Sequence, residues 1–165
     1  MFDPEELAEW KQAYREQWEE ENPELHERNS YKKKLKQATE DVYFVYKRIQ
    51  TRMFTFTKTR YPISTVKKWL GCDAIFLKEF MDKYEIDGPD NIDHIFPCNF
   101  FKLEDPSHLF ICNHFTNIRL MDEAENKSRK DTFTEEDKEM YLARLKKFKP
   151  EYLDVINEIL AVKEI

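Results

Sequence analysis

Apolar residues recur at helical spacing from the start of the chain. Leu7, Trp10, Tyr14 and Trp18 are three or four positions apart, which predicts a first helix with one apolar face. We expect this helix to begin at Pro4, because proline fits the first position of a helix. It should end near Pro23, because proline disfavours helical geometry in the residue before it.

A second apolar pattern predicts a helix from about residue 23 to about residue 51. Its members alternate at spacings of four and three: Tyr31, Leu35, Ala38, Val42, Val45 and Ile49. Such a heptad-like seam is typical of core packing or of a partner helix. We expect the first two helices to pack as an antiparallel pair. The seam also offers a surface through which two copies of the chain could form a homodimer.

The next segment changes pattern several times. Residues 53–57 alternate between apolar and polar, which predicts a short extended piece that ends before Pro62. Ser64 is expected to cap a helix that stops at Gly71. Asp73 is then expected to cap a helix with an apolar face, made of Ile75, Phe76, Phe80 and Met81.

The centre of the chain predicts two strands around a loop. Residues 92–96 form an apolar run stopped by Pro97, and residues 117–120 suit a returning strand. Residues 98–115 between them are expected to be a long loop with one helical turn near Asp105. Asp122 is expected to cap a helix that runs to about Lys130.

Two further helices should complete the chain, one opening at Thr134 and one following Pro150. The fold class is therefore α+β and mostly α. We expect a helical arm over residues 1–62, a central domain over residues 63–132, and C-terminal helices over residues 133–165 that pack on it.

Composition excludes several classes of protein. Two glycines in 165 residues are too few for a β-sandwich, a Rossmann fold or a phosphate-binding loop. An apolar content of 41% is enough for a core, so disorder of the whole chain is not expected. No run of eighteen apolar residues occurs and the first residues are acidic, which predicts neither a membrane span nor a signal peptide. Three cysteines without a CxxC pair suggest reduced thiols in an intracellular protein.

The net charge of −6 hides a basic segment. Residues 31–70 carry eleven Lys and Arg against two acids, a local charge of +9. Binding of a polyanion depends on local potential more than on total charge, although a charged run is also typical of a solvated helix face. The residues expected to contact nucleic-acid phosphates are Lys32, Lys33, Lys34, Lys36, Arg48 and Arg52.

Asp93, His94 and Asn126 carry the candidate chemistry. A carboxylate and an amide oxygen suit a hard cation such as Mg²⁺, and a neutral histidine can accept a proton from water. Together they would serve metal-assisted hydrolysis of a phosphodiester. An Asp-His pair alone is common, however, and a histidine in an apolar strand is usually a hydrogen-bonded core residue.

The wider pattern resembles a known family. The segments concerned are Ile92-Asp93-His94-Ile95-x-Pro97, His114-Phe115-Thr116-Asn117-Ile118-Arg119-Leu120 and Glu125-Asn126-Lys127-Ser128-x-Lys130. They resemble the HNH endonucleases of the ββα-metal fold, above all the free-standing enzymes of phages and large viruses. The resemblance covers residues 70–131. It implies an embedded ββα-metal motif and an enzyme that cleaves double-stranded DNA. Such enzymes act inside a cell, which is a virus-infected host cell for the viral members.

The resemblance also implies a role for each residue that matches the motif. His94 would be the general base, Asn117 would brace the loop and orient His94, and Asp93 and Asn126 would hold one Mg²⁺ or Mn²⁺. Substrate contacts are implied for a further set: Arg119, Lys127, Arg129 and Lys130. Arg119 stands where this branch of the family usually has glutamine, so the resemblance does not specify how Arg119 contacts the substrate.

Two alternatives use other chemistry. A zinc-stabilised nucleic-acid-binding module could draw ligands from a second set of side chains: Cys98, His108, Cys112 and His114. Structural zinc usually has pairs of ligands at short, regular spacing; Cys112-x-His114 is too tight and Cys98 stands alone, so no structural zinc is expected. The other alternative is a catalytically inactive relative that only binds DNA.

Overall fold

A computed structural model describes residues 4–83, 91–121, 123–129 and 132–163. The chain divides into two compact units, residues 1–40 and residues 41–165, so the segment after residue 40 groups with the rest of the chain. Helices account for most of the described residues, and they accompany one small sheet, which confirms a mostly helical α+β fold. No helix in the described ranges is both long and apolar enough to span a membrane.

The first unit consists of two consecutive helices, α1 (Pro4–Glu21) and α2 (Pro23–Asp41). The predicted boundary at Pro23 is confirmed, but the predicted antiparallel pair is wrong. Helical hydrogen bonds continue across the junction: the Asn22 amide donates to the Trp18 carbonyl, and the His26 amide donates to the Asn22 carbonyl, both at 3.0 Å. With one residue between them, the helices follow one another without the loop that a reversal needs.

The second unit holds the remaining elements. The described helices are α3 (Tyr43–Thr57), α4 (Ile63–Leu70), α5 (Ala74–Lys83), α6 (Pro106–Asn113), α7 (Glu123–Arg129), α8 (Glu135–Phe148) and α9 (Leu153–Lys163). The strands are β1 (Asn91–His94) and β2 (Ile118–Met121). Short 3₁₀ turns cover Cys98–Phe100, Phe115–Asn117 and Pro150–Tyr152.

Helix α3 corrects two predictions. The predicted helix over residues 23–51 is interrupted at Val42, which has φ −98° and ψ 8°, although neither glycine nor proline marks the place. The predicted extended piece over residues 53–57 is helical. Val45, Ile49 and Met53 are four residues apart and all buried, so they define one buried face of a helix. This helical pattern outweighs the alternation of phenylalanine and threonine that suggested a strand.

The ends of α4 and α5 follow the expected chemistry with one exception. Gly71 has φ 71° and ends α4, and the Phe76 amide donates to Asp73 Oδ1 at 2.8 Å at the start of α5, so both predictions are confirmed. The predicted cap at Ser64 is wrong: Pro62 is the N-cap of α4, and no side chain supplies a capping hydrogen bond.

Strands β1 and β2 form a two-stranded antiparallel sheet. Asp93 is opposite Arg119, and His94 is opposite Ile118. Helix α7 follows β2 directly in the chain, apart from residue 122, and contacts β1. The predicted cap at Asp122 lies outside the described residues.

The predicted loop over residues 98–115 contains a helix of eight residues, α6. Asp105 caps it by accepting hydrogen bonds from the amides of Ser107 and His108. Leu109, Ile111 and Cys112 on this helix are buried, so it belongs to the core. The prediction of one helical turn near Asp105 is confirmed, but the prediction that the rest of the segment is a loop is wrong, because the helix continues to Asn113.

The last two helices complete the core. A capping box joins Thr134 and Asp137 at the start of α8, which confirms the predicted helix start. Tyr141, Leu145 and Ile156 are at most 1% exposed, so α8 and α9 cover a continuous apolar interior.

Candidate active site

A large cavity in the second unit is basic. It measures about 840 Å³ and includes Lys47, Arg48 and Arg52 from α3, with His94 from β1 and Asn126 from α7. No acidic side chain of the described residues lines it. Neither arginine forms a hydrogen bond or ion pair with another described residue. The cavity therefore presents three cations beside one histidine.

Asn113 fixes how the His94 ring is oriented. The Asn113 amide nitrogen donates to the Leu109 carbonyl at 2.9 Å, so its oxygen faces His94 Nε2 at 3.3 Å. An amide oxygen only accepts, and Nε2 must therefore carry the proton. His94 Nδ1 is left with a lone pair, and it is buried without a hydrogen-bond partner in the described structure.

Asn117 holds the loop after β1. Its side-chain oxygen accepts from the Phe96 amide at 2.7 Å, and its nitrogen donates to the Phe96 carbonyl at 3.1 Å and the Cys112 carbonyl at 2.8 Å. Three hydrogen bonds from one buried side chain tie the end of β1 to α6. Asn117 thus braces the loop, while the hydrogen bond to the His94 ring comes from Asn113.

Asp93 lies on the opposite face of β1 from His94. Adjacent strand residues alternate faces, and Asp93 is not among the residues that line the cavity. Its Oδ2 accepts from Arg119 Nε at 3.2 Å and Arg119 Nη2 at 2.9 Å. Arg119 also donates from Nη1 to Asp137 Oδ1 at 2.6 Å. The Arg119 guanidinium is thus held between two carboxylates.

Asp137 is the common acceptor of this charged group. Arg129 also pairs with it, through Oδ2. Burial opposes ionisation of Asp137, but hydrogen bonds from Arg119 and Thr134 outweigh it, and the pKa of the carboxyl is lowered. As placed here, Arg119 and Arg129 neutralise acids within the protein.

Asp93 and Asn126, the oxygen donors implied by the family resemblance, do not form a magnesium site as they are arranged. Asn126 lines the cavity, whereas Asp93 points to the other face and has one oxygen engaged by Arg119. A hard cation needs several oxygen ligands around one point. Of the two donors, Asn126 alone lines the cavity that His94 lines.

Two cysteines lie close to His94. Cys98 follows β1 in a 3₁₀ turn and Cys112 is on α6, and the ligand atoms of the three residues lie within 4.8 Å of one another. A hydrogen bond from the Cys112 thiol lowers the pKa of Cys98, and burial raises the pKa of Cys112. His94 is thus flanked by two thiols, one of which favours its charged form.

The other predicted ligands are placed elsewhere. His108 Nδ1 accepts from the Lys102 amide at 3.2 Å, and His114 Nδ1 lies 2.9 Å from Thr116 Oγ1. Neither belongs to the group formed by His94 and the two cysteines. The ligand set of the zinc alternative is therefore not assembled among the described residues.

The remaining predicted contacts fall in three places. Lys127 is on α7 with its side chain outside the described part of the chain, and Lys130 is outside the described residues altogether. The basic residues of the first unit are exposed on α2: Lys32, Lys33, Lys34 and Lys36. Among the predicted contacts whose side chains are described in the second unit, Arg48 and Arg52 line the cavity, and Arg119 and Arg129 pair with acids.

Sequence reasoning missed Asn113, and it missed the grouping of Cys98 and Cys112 with His94, because the zinc alternative combined these cysteines with His108 and His114. Asn113 is next to His114 in the sequence, and only the phase of α6, which was expected to be a loop, turns it toward His94. No protein-family model, no curated protein and no solved structure matches the chain.

Proposed function

We propose that the second unit is an endonuclease that hydrolyses phosphodiester bonds of DNA, with His94 as the general base. One observation carries the proposal: His94, whose buried Nδ1 has no hydrogen-bond partner among the described residues, lines a cavity with three cations and no described acid. A phosphodiester is an anion whose hydrolysis needs both charge neutralisation and proton removal from water.

The cations of α3 would bind the phosphate. Arg48 and Arg52 are four residues apart on the helix and therefore lie on one face, and Lys47 borders the same cavity. Arginine binds phosphate oxygens through two parallel hydrogen bonds, and lysine adds a point charge. The same contacts would also stabilise the charge that develops on the phosphate during attack.

His94 would take the proton from the attacking water. Because Asn113 accepts the Nε2 proton, Nδ1 is the ring nitrogen that carries a lone pair and would act as the base. Nδ1 is buried in the structure, so this role requires that water reach it in the complex with substrate. General-base catalysis by a positioned side chain contributes about 10²- to 10⁴-fold to a rate. Asn126, on the same cavity, would hydrogen-bond a phosphate oxygen through its amide nitrogen.

The dependence on Mg²⁺ or Mn²⁺ belongs to the proposal through the family resemblance alone. Such an ion would polarise the phosphate and stabilise the leaving oxygen when bound. Asp93 and Asn126 are the residues that the resemblance assigns to it. As arranged, Asp93 is paired with Arg119 and does not line the cavity that Asn126 lines, so the structure adds no support for this ion.

Cleavage of supercoiled plasmid tests the assignment. Wild-type protein, His94→Ala and His108→Ala are compared in Mg²⁺, in Mn²⁺ and in EDTA. His108 is the matched control, because it is a histidine of the same unit that does not line the cavity. We expect nicked or linear product from wild type and His108→Ala, and almost none from His94→Ala. Equal products from wild type and His94→Ala would remove His94 from the mechanism.

A catalytically inactive DNA-binding protein is the second candidate. The ion pair between Asp93 and Arg119 favours this candidate, because it engages one oxygen of the carboxylate that the resemblance assigns to the metal. This alternative predicts that the wild-type protein binds duplex DNA with a steep salt dependence and leaves it uncut under every metal condition.

A further inference from the structure

Three soft ligands come together from separate segments of the chain. His94 ends β1, Cys98 is in the 3₁₀ turn that follows, and Cys112 is in the last turn of α6. Their exposed fractions are 3%, 1% and 0%, and their ligand atoms lie within 4.8 Å of one another. Among the described residues they form a compact buried group of one imidazole and two thiols.

The hydrogen bonding of the His94 imidazole is typical of a metal ligand. Asn113 accepts the hydrogen bond of Nε2, and a metal-binding histidine characteristically uses its other nitrogen in such a contact. Nδ1 has no hydrogen-bond partner, which is costly for a buried polar atom unless something binds there. The histidine is thus both oriented and unsatisfied.

The donor set selects a class of metal ion. Two thiolates and one imidazole are soft or borderline ligands, which suit Zn²⁺ and Cu⁺ and not Mg²⁺. On binding Zn²⁺ each thiol releases a proton, so the two thiolate charges balance the charge of the ion. Since His94 also lines the basic cavity, a fourth ligand such as water can be supplied from that side.

We propose that His94, Cys98 and Cys112 form a binding site for a soft metal ion of the zinc type, and that occupation of this site inhibits DNA hydrolysis. Inhibition follows because the ion would take the His94 lone pair that serves as the base. The inhibitory half rests on the proposed function, whereas the binding half rests on the geometry of the three residues alone.

Titration with Co²⁺ tests binding without any measurement of activity. Cobalt replaces zinc in tetrahedral sites, and bound thiolates give a near-ultraviolet charge-transfer band. We expect one equivalent of Co²⁺ to produce this band in the reduced full-length protein, and one equivalent of Zn²⁺ to abolish it. A wild-type protein that shows no band at one equivalent would overturn the site.

Cysteine variants identify the ligands. Cys98→Ser and Cys112→Ser should lose the charge-transfer band, whereas Cys72→Ser should keep it, because Cys72 is the remaining cysteine and does not belong to the group. Circular dichroism of each variant shows whether it is folded, and the wild-type titration stands without them. A band that survives in both folded variants would overturn the assignment.

Inhibition is measured separately by adding Zn²⁺ to cleavage reactions that contain excess Mg²⁺. Each protein is compared with its own rate without zinc. We expect stoichiometric zinc to stop wild type and Cys72→Ser but to leave the relative rate of Cys112→Ser unaffected. Equal inhibition of all three would refute the inhibitory role. Absence of cleavage without zinc would refute the proposed function, and the cobalt result would be unaffected.

Discussion

The buried histidine His114 makes stability sensitive to mild acid. Its side chain is 0% exposed, and Nε2 is buried without a hydrogen-bond partner in the described structure. Burial, and then the charge of Lys149, lower the pKa of His114 from 6.5 to about 4, against a smaller opposing effect of Glu151. The folded protein therefore holds this histidine neutral where the unfolded chain would protonate it.

The size of the effect follows from the two pKa values. Below pH 6.5 the unfolded state binds a proton that the folded state does not, so stability falls as pH decreases, and it levels off near pH 4. From about pH 7 to about pH 5 the free energy of unfolding should drop by about 2 kcal/mol. The loss should approach about 3 kcal/mol below the folded pKa.

Urea unfolding followed by circular dichroism at about pH 7, 6 and 5 measures this loss. The matched variant is His114→Gln, which keeps a polar side chain of similar reach and has no group that titrates in the range. We expect the wild-type free energy of unfolding to fall toward that of the variant as pH decreases. Parallel losses in the two proteins would show that His114 is not the source.

Two further substitutions test contacts of the fold. Gly71→Ala should lower stability by about 3 kcal/mol, because the residue has positive φ and a Cβ would lie 2.6 Å from the His114 ring; unchanged thermal unfolding would contradict the close approach. Arg119→Met should cost about 3 kcal/mol and lower the melting temperature, because it leaves the buried carboxylates of Asp93 and Asp137 without their shared cation. A melting temperature equal to wild type would show that these pairs contribute nothing.

Helix ends with a chemical marker were predictable from the sequence. Pro23, Gly71 and the Thr134 cap each act through local backbone geometry, so no knowledge of the fold is needed. The break at Val42 carries no such marker, and the helix over residues 53–57 looks locally like a strand. In both places burial against distant residues decides the structure.

The candidate site was predictable in part. His94 and the basic residues Arg48 and Arg52 were identified from residue type and charge, and the structure brings them to one cavity. Strand alternation, which separates Asp93 from His94, is also visible in the sequence. The pairing with Arg119 holds Asp93 on the face of β1 opposite His94.

The cysteine group could not be predicted from spacing. Cys98 and Cys112 are separated by a turn and a helix, and they meet because α6 brings the chain back beside β1. Linear motifs detect metal ligands only when the ligands are close in sequence. Asn113 was missed for the same reason, since its role depends on the phase of a helix that replaced an expected loop.

We propose that His94 performs the chemical step and that the cations of the same cavity bind DNA. Single-turnover cleavage of a labelled DNA duplex by saturating wild type and His94→Gln, with binding measured in parallel, tests it most directly. We predict unchanged affinity and a rate that is lower by about 100-fold or more. Equal cleavage rates at equal occupancy would contradict the claim.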